Sequence, residues 1–186
     1  MKNKRKLIVL SGIPGTGKSV LRSKLEKTIP NVFVYSTDDI VSQWAVERNS
    51  TYSQIWAESI QEATQLAENL FTEALKQGKN IIIDRTNLSP KARRKYLARL
   101  SPKDWTFNCV QILKPETESE MNALKSRLTK RSESEGKVIT DELLQDFLKQ
   151  FVEVTDEEPF NDFMLLNMYG SIINKDDRKF KHFRKY

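Results

Sequence analysis

Gly12-Ile13-Pro14-Gly15-Thr16-Gly17-Lys18-Ser19 is the stretch that decides the fold. It satisfies the spacing G-x-x-x-x-G-K-[ST], with the apolar run Leu7-Ile8-Val9-Leu10 before it and the helical stretch Val20-Leu21-Arg22-Ser23-Lys24-Leu25 behind it. Glycines at these places let successive backbone N–H groups turn inward around phosphate oxygens, and a helix starting at Lys18 adds positive partial charge at its N-terminus. The sequence therefore predicts a triphosphate cradle made by Gly12, Pro14, Gly15, Thr16, Gly17, Lys18, Ser19 and Val20. Lys18 is expected to reach the β- and γ-phosphates and the Ser19 hydroxyl to ligate Mg²⁺, so ATP and Mg²⁺ are the expected cofactors.

Outward from the loop, short β-branched runs alternate with long helical patterns. The candidate strands are 6–11, 32–36, 80–84, 106–113 and 163–167. Between them, three- and four-residue apolar spacing predicts helices over 18–27, 39–48, 53–77, 90–100, 117–131 and 141–152. Thr117-Glu118-Ser119-Glu120 has capping-box spacing, and Gly78 supplies a stop for the longest helix. Parallel neighbours need crossovers long enough to hold a helix, so the fold class is α/β, a P-loop NTPase/kinase fold with a parallel sheet flanked by helices.

The length of 186 residues fits one domain, expected over 1–174, and no repeat or linker marks a second. Neither Leu7–Leu10 nor Ile81–Ile83 approaches the roughly 20 apolar residues that span a bilayer, and the basic start before Leu7 reads as the approach to a strand, not as an export signal. The single cysteine, Cys109, has no disulfide partner, which points to a reducing cytoplasm. Of the formal charge of +6, the first six residues carry +4 and the segment 175–186 another +4, leaving about −2 for the rest. Basic ends suit a polyanionic partner, and solubilising tails would look the same. No membrane association or obligate protein partner is expected.

Phosphate binding alone does not separate kinases from ATPases or GTPase switches. Asn174-Lys175-Asp176-Asp177 fits the guanine-reading N-K-x-D pattern but has no strand and helix behind it, and Asp84-Arg85-Thr86-Asn87 lacks the glycine of a γ-phosphate sensor. A kinase needs a base for the acceptor hydroxyl and cations for the transferring phosphoryl group. Val32–Ser36 runs into Thr37-Asp38-Asp39 at the carboxyl edge of the sheet, where open α/β folds bind ligands. Asp38 is the expected general base and Asp39 an expected substrate contact, with helix capping the competing role for either. Ile81-Ile82-Ile83-Asp84 closes with an acid where P-loop enzymes keep a carboxylate on the Mg²⁺ shell, so Asp84 joins Ser19 as an expected metal ligand. Ser89 and Pro90 behind it read as cap and first helical residue, which leaves Arg85 without a structural task.

Taken together, the phosphate loop, Asp38-Asp39, and Thr86-Asn87-Leu88-Ser89-Pro90 followed by Arg93-Arg94 resemble the polynucleotide 5′-hydroxyl kinase family known from bacteriophage end-healing enzymes. Weaker similarity runs through Leu128–Arg131 to Glu135–Val138 and looks like that family's lid, here about 127–140. The resemblance implies that Asp38 activates a terminal hydroxyl, that Arg131 clamps the donor phosphates beside Lys18, and that Thr86, Asn87, Arg93 and Arg94 meet the acceptor; Arg85, outside the matched residues, is a further expected acceptor contact. Two positions depart from the pattern: Val41 stands where an arginine follows the base, and Glu135 falls near a second lid arginine and is expected to point outward. Arg85 or Lys130 would have to compensate.

Lys91, Arg93, Arg94, Lys95 and Arg99 crowd one short helix, which suits phosphate contacts along a strand or a solvated face. The tail from Arg178 to Tyr186 interleaves cations with rings, as single-strand stacking platforms do. His182 is the only histidine, which excludes histidine acid–base chemistry within the domain, and Trp44, close behind Asp38, is a better functional candidate than Trp56. The expectation is an ATP-dependent kinase acting on a nucleic-acid hydroxyl, the 5′-OH end of DNA or RNA first. A nucleoside, a small metabolite or a hydroxymethylated base in DNA is the alternative acceptor, and a nucleotide-binding regulatory module without transfer is the alternative class.

Overall fold

The structure, a computed structural model, describes residues 4–173. Asn174 with its N-K-x-D match, His182 and the cation–aromatic tail lie outside the described residues. Strand β1 (Arg5–Ser11) precedes the phosphate loop, and α1 (Lys18–Thr28) follows it. Then come β2 (Val32–Tyr35), α2 (Thr37–Glu47), α3 (Tyr52–Lys76), β3 (Asn80–Asp84) and α4 (Pro90–Arg94). A 3₁₀ turn (Leu97–Arg99), β4 (Trp105–Ile112), α5 (Glu118–Glu135), α6 (Asp141–Gln150) and β5 (Asp162–Leu166) complete the order.

Among the described residues the strands form one sheet in the order β2-β3-β1-β4-β5, with every pairing parallel. Strand β1 is central because Leu7–Leu10 is apolar at consecutive positions, which only a strand covered on both faces can bury. Leu7 and Val9 pack with Tyr35, Phe71, Ile83 and Cys109 on one face, while Ile8 and Leu10 pack with Leu25, Ile82, Leu124 and Leu128 on the other. Each such side chain stabilises the fold by about 1.5–3 kcal/mol on burial, so the strand that carries the loop is also the best anchored. The chain passes from β3 to β4 across β1, and this reversal opens a crevice at the carboxyl ends of β1 and β3.

Helix ends follow the capping chemistry. Thr51 and Gln54 make a capping box for α3, and Thr117 and Glu120 make the one expected for α5. Ser36 caps α2 through the Asp39 N–H, so the helix starts at Thr37 and neither aspartate serves as its cap. Helix α5 runs past Arg131 to Glu135 and stops at Gly136 in the left-handed region, φ 62. The segment 90–100 is not one helix: α4 ends at Arg94 and the 3₁₀ turn follows. From Tyr96 on, the backbone N–H groups reach only three residues back, Arg99 to Tyr96 O at 3.3 Å and Leu100 to Leu97 O at 3.0 Å, which tightens the chain into a 3₁₀ turn while Arg93, Tyr96 and Leu97 all stay buried. No helix of the described residues is long and apolar enough to cross a membrane.

Candidate active site

The carboxyl edge of the sheet opens into a cleft of about 710 Å³, within the range of roughly 300–1,000 Å³ usual for small-molecule sites. Its donor end is the phosphate loop. Gly15 and Gly17 hold φ of 84 and 108, a region favoured by glycine alone. A Cβ on Gly15 would lie 2.9 Å from Leu128 Cδ2, so this glycine also lets α5 press against the loop. The Gly12 N–H donates to Thr86 O at 2.9 Å and Thr16 Oγ1 to Ile13 O at 2.7 Å, fixing the loop from behind. Lys18 curls over it, donating from Nζ to Gly12 O at 2.6 Å and Ile13 O at 3.0 Å. Burial draws its ammonium down to about 8, with Arg131 and Lys137 pushing the same way against Asp84 and Asp38. An arriving polyphosphate would reverse that shift.

The cleft is also lined by Asp38, in the first turn of α2. Tyr52 Oη donates to its Oδ1 at 3.0 Å, and Lys137 Nζ donates to Oδ2. Burial raises the Asp38 carboxyl, but the Lys137 charge and these two hydrogen bonds outweigh it and hold the group below its ordinary range. Burial together with the Asp38 charge pushes the Tyr52 phenol up, so it stays a donor. Asp39, one residue on and about 100° around the helix, leaves this cluster. It pairs with Arg22 Nη2 at 2.7 Å, and Arg22 also meets Asp84 at 3.1 Å and Glu26 at 2.7 Å. Burial raises the Asp84 carboxyl against the pull of Arg22 and Lys18.

Ser19 and Asp84 both line the cleft beside the loop. Among the described residues no group of three or more histidine, cysteine or carboxylate side chains gathers to form a dedicated metal cage. One hydroxyl and one carboxylate suit Mg²⁺, which keeps waters and takes its remaining oxygens from substrate phosphates.

The cleft brings Pro14, Gly15, Gly17, Lys18, Ser19, Asp38, Asp39, Asp84, Arg85, Thr86 and Arg131 to one wall or another, and it leaves out several expected members. Val20 is 63% exposed and does not line the cleft, and its N–H donates to Gly17 O at 3.1 Å. Asn87 is buried at φ 46, donating from Nδ2 to Leu10 O at 2.8 Å; it ties the end of β3 to β1 instead of facing an acceptor. Arg93 is fully buried, ion-paired with Glu158 and donating to Val152 O at 2.9 Å, because a guanidinium whose water is replaced by carboxylate and backbone partners can sit in a core. Arg94 is exposed, with Nε turned to Pro90 O at 3.3 Å. Of the other cations on this segment, Arg99 pairs with Glu68 at 2.5 Å and lies over the Phe71 ring, and Lys95 comes within 3.9 Å of the same carboxylate.

Glu135, expected to point outward, lines the cleft and accepts from Arg131 Nε at 2.9 Å, one helical turn away. Val41 is buried between α2 and α3 with Ala45, Tyr52 and Ile55. Of the tryptophans, Trp56 lines the cleft, its ring 5.2 Å from Tyr52, while Trp44 packs under Arg48. Tyr52, Trp56, Lys137 and Arg22 are thus site residues that motif reading missed. Arg22 left a signal in sitting four residues after Lys18 and so on the same helix face, and Lys137 lay within the Glu135–Val138 stretch that resembles a lid.

A five-stranded parallel sheet with a phosphate loop at its central strand, and a cleft pairing that loop with a carboxylate, defines the P-loop kinase class of phosphotransferases. The family model described as AAA domain (AAA_33) matches residues 7–154, and the chain belongs to that family. Similar solved structures include a chain from the PezAT chromosomal toxin–antitoxin system of Streptococcus pneumoniae, at TM-score 0.67 and 17% identity over 93% of this chain and 71% of that one. A fungal RNA kinase matches at TM-score 0.59 and 13% identity, over 95% of this chain and 78% of its own. A chain of the Pnkp1/Rnl/Hen1 RNA repair complex matches at TM-score 0.58 and 25% identity, covering 81% of this chain; the protein here spans 45% of that chain's length.

Proposed function

We propose that the protein transfers the γ-phosphoryl group of ATP to an alcohol, with the 5′-hydroxyl end of a nucleic acid as acceptor. The observation that carries this reading is the meeting of Asp38, Lys18 and Arg131 in one cleft, Asp38 and Arg131 each acting on the Lys18 charge. In the step proposed, Asp38 takes the acceptor's O–H proton while that oxygen attacks the γ-phosphorus. The bond from γ-phosphorus to the bridging oxygen breaks, its electron pair leaves on ADP, and the products are a phosphomonoester, ADP and a proton shed by Asp38. Lys18 and Arg131 neutralise the charge spread over the transferring group. Ser19 and Asp84 would hold Mg²⁺, which supplies further neutralisation of the donor phosphates.

The RNA repair relative and the sequence resemblance support a nucleic-acid end, with Arg85 and Thr86 as the acceptor contacts that do face the cleft. In this reading residues 1–174 act as one kinase domain, 127–140 serve as its lid, and 175–186 form a basic extension. A smaller acceptor, a nucleoside or metabolite, is favoured by one observation: Val41 and Arg93, the positions matched to acceptor-phosphate contacts, are both in the core. Incubation with γ-labelled ATP and a panel of 5′-hydroxyl oligonucleotides, nucleosides and sugars tests the proposal. Labelled oligonucleotides are the expected product; label on small molecules only would move the acceptor, and label on none would remove the transfer reaction.

A further inference from the structure

The turn that closes α5 delivers a side chain for which the transfer step above has no task. A Cβ at Gly136 would lie 2.5 Å from Thr51 Cβ, so only glycine lets the turn dock on the start of α3. Two hydrogen bonds hold it there, from the Ser53 N–H to Gly136 O at 3.2 Å and from the Val138 N–H to Ser53 Oγ at 2.9 Å. Between these anchors Lys137 is only 7% exposed, its ammonium 4.1 Å from the Tyr52 ring centroid and bonded to Asp38. Burying an ammonium is costly unless it is paired, and here its partner is the carboxylate assigned as base. A carboxylate held by a cation is a poor proton acceptor. The same cation acts on Lys18, as Arg131 does, so three positive groups converge where the triphosphate would end.

We propose that Lys137 exchanges partners during the cycle: it rests on Asp38 while the triphosphate is absent and moves onto the γ-phosphoryl oxygens when one binds. The inference rests on the reading of Asp38 as base. The exchange is a change of ion-pair partner and makes and breaks no covalent bond. It frees Asp38 only when a donor is present, and it supplies the second lid cation at a place where Glu135 cannot. Asp38 is faced by Lys137 from the turn, Tyr52 from α3, Lys18 from α1 and Arg85 from the end of β3.

Equilibrium binding of a non-transferable ATP analogue and of ADP to the wild type, Asp38→Asn, Lys137→Met and the double variant tests this without any turnover. Asp38→Asn, which releases Lys137, should tighten the triphosphate analogue by a few-fold, at most about fivefold for a pair so exposed at Asp38, with a much smaller change for ADP. The gain should vanish in the double variant. An equal gain with and without Lys137, an equal gain for ADP, or no gain at all overturns the proposal. A second measurement guards against a merely structural turn: Lys137→Arg should recover part of the kcat lost by Lys137→Met. Label transfer by the wild type decides the function itself, so the two failures are told apart.

Discussion

The two ends of the cleft are built in opposite ways. The donor end is one continuous stretch, residues 12–19, whose shape comes from its own glycines and from the strand and helix it joins. The proposed acceptor end is assembled from the first turn of α2, the start of α3, the turn after α5 and the end of β3, which supply Asp38, Tyr52, Lys137 and Arg85. A local device tolerates change elsewhere in the fold; an assembled one depends on how every contributing helix docks.

That contrast is sharpest in catalysis. Asp38→Asn should lower kcat by about 10²–10⁴, the usual range for a general base, while ATP binding is retained. Lys18→Met should weaken nucleotide binding and transfer together, since the lysine belongs to the donor end. Calorimetric titration with ATP, run beside label transfer, reads both quantities; loss of ATP binding in Asp38→Asn would erase the distinction between the ends.

Arg93 breaks the comparison from another side, because by sequence it belonged to the acceptor and by structure it belongs to the scaffold. Removing one partner of a buried ion pair costs about 3–5 kcal/mol, so Arg93→Met should lower the unfolding free energy in urea by that amount. Its salt slope for oligonucleotide binding should match the wild type's, whereas a phosphate contact would flatten the slope by about one.

The sequence reveals what is local or periodic. Leu7–Leu10 and Ile81–Ile83 announced buried strands because consecutive apolar residues have no other stable home, and the loop announced itself because phosphate wrapping needs glycine at fixed spacing. Asp38 could be placed at a strand end, but its partners could not: nothing in the spacing of Tyr52 or Lys137 says that α3 and the α5 turn meet over α2. Arg93 misled because a cation in a basic run reads as surface, and its partner Glu158 lies 65 positions away.

Gly136 offers a smaller intervention, reaching the acceptor end through backbone alone. Gly136→Ala puts a side chain at φ 62 against Thr51, which should cost about 1–3 kcal/mol, read from the urea midpoint. The loosened turn should leave ATP affinity within a few-fold of wild type while kcat falls, because Gly12–Ser19 does not depend on it. An unchanged midpoint would mean that the turn has another way to sit.

The smallest effect is carried by the Lys137–Asp38 pair in the free protein. Asp38 is about half exposed at 49% of its side chain, so solvent screening limits the pair to about 1 kcal/mol or less despite the burial of the lysine. The sign follows from the direction of the shift. Asp38 titrates below its ordinary 3.8 when folded, so the pair's contribution is fully present above that value and is lost as pH falls through the lower folded one. Asp38→Asn, Lys137→Met and the double variant isolate this coupling from the many other carboxylates that drive acid unfolding. Urea unfolding of the four proteins should give a favourable coupling near neutral pH that fades below 3.8. A coupling that instead grew on acidification would show that burial, and not Lys137, governs the Asp38 carboxyl, and the acceptor end would then be organised by α2 and α3 alone.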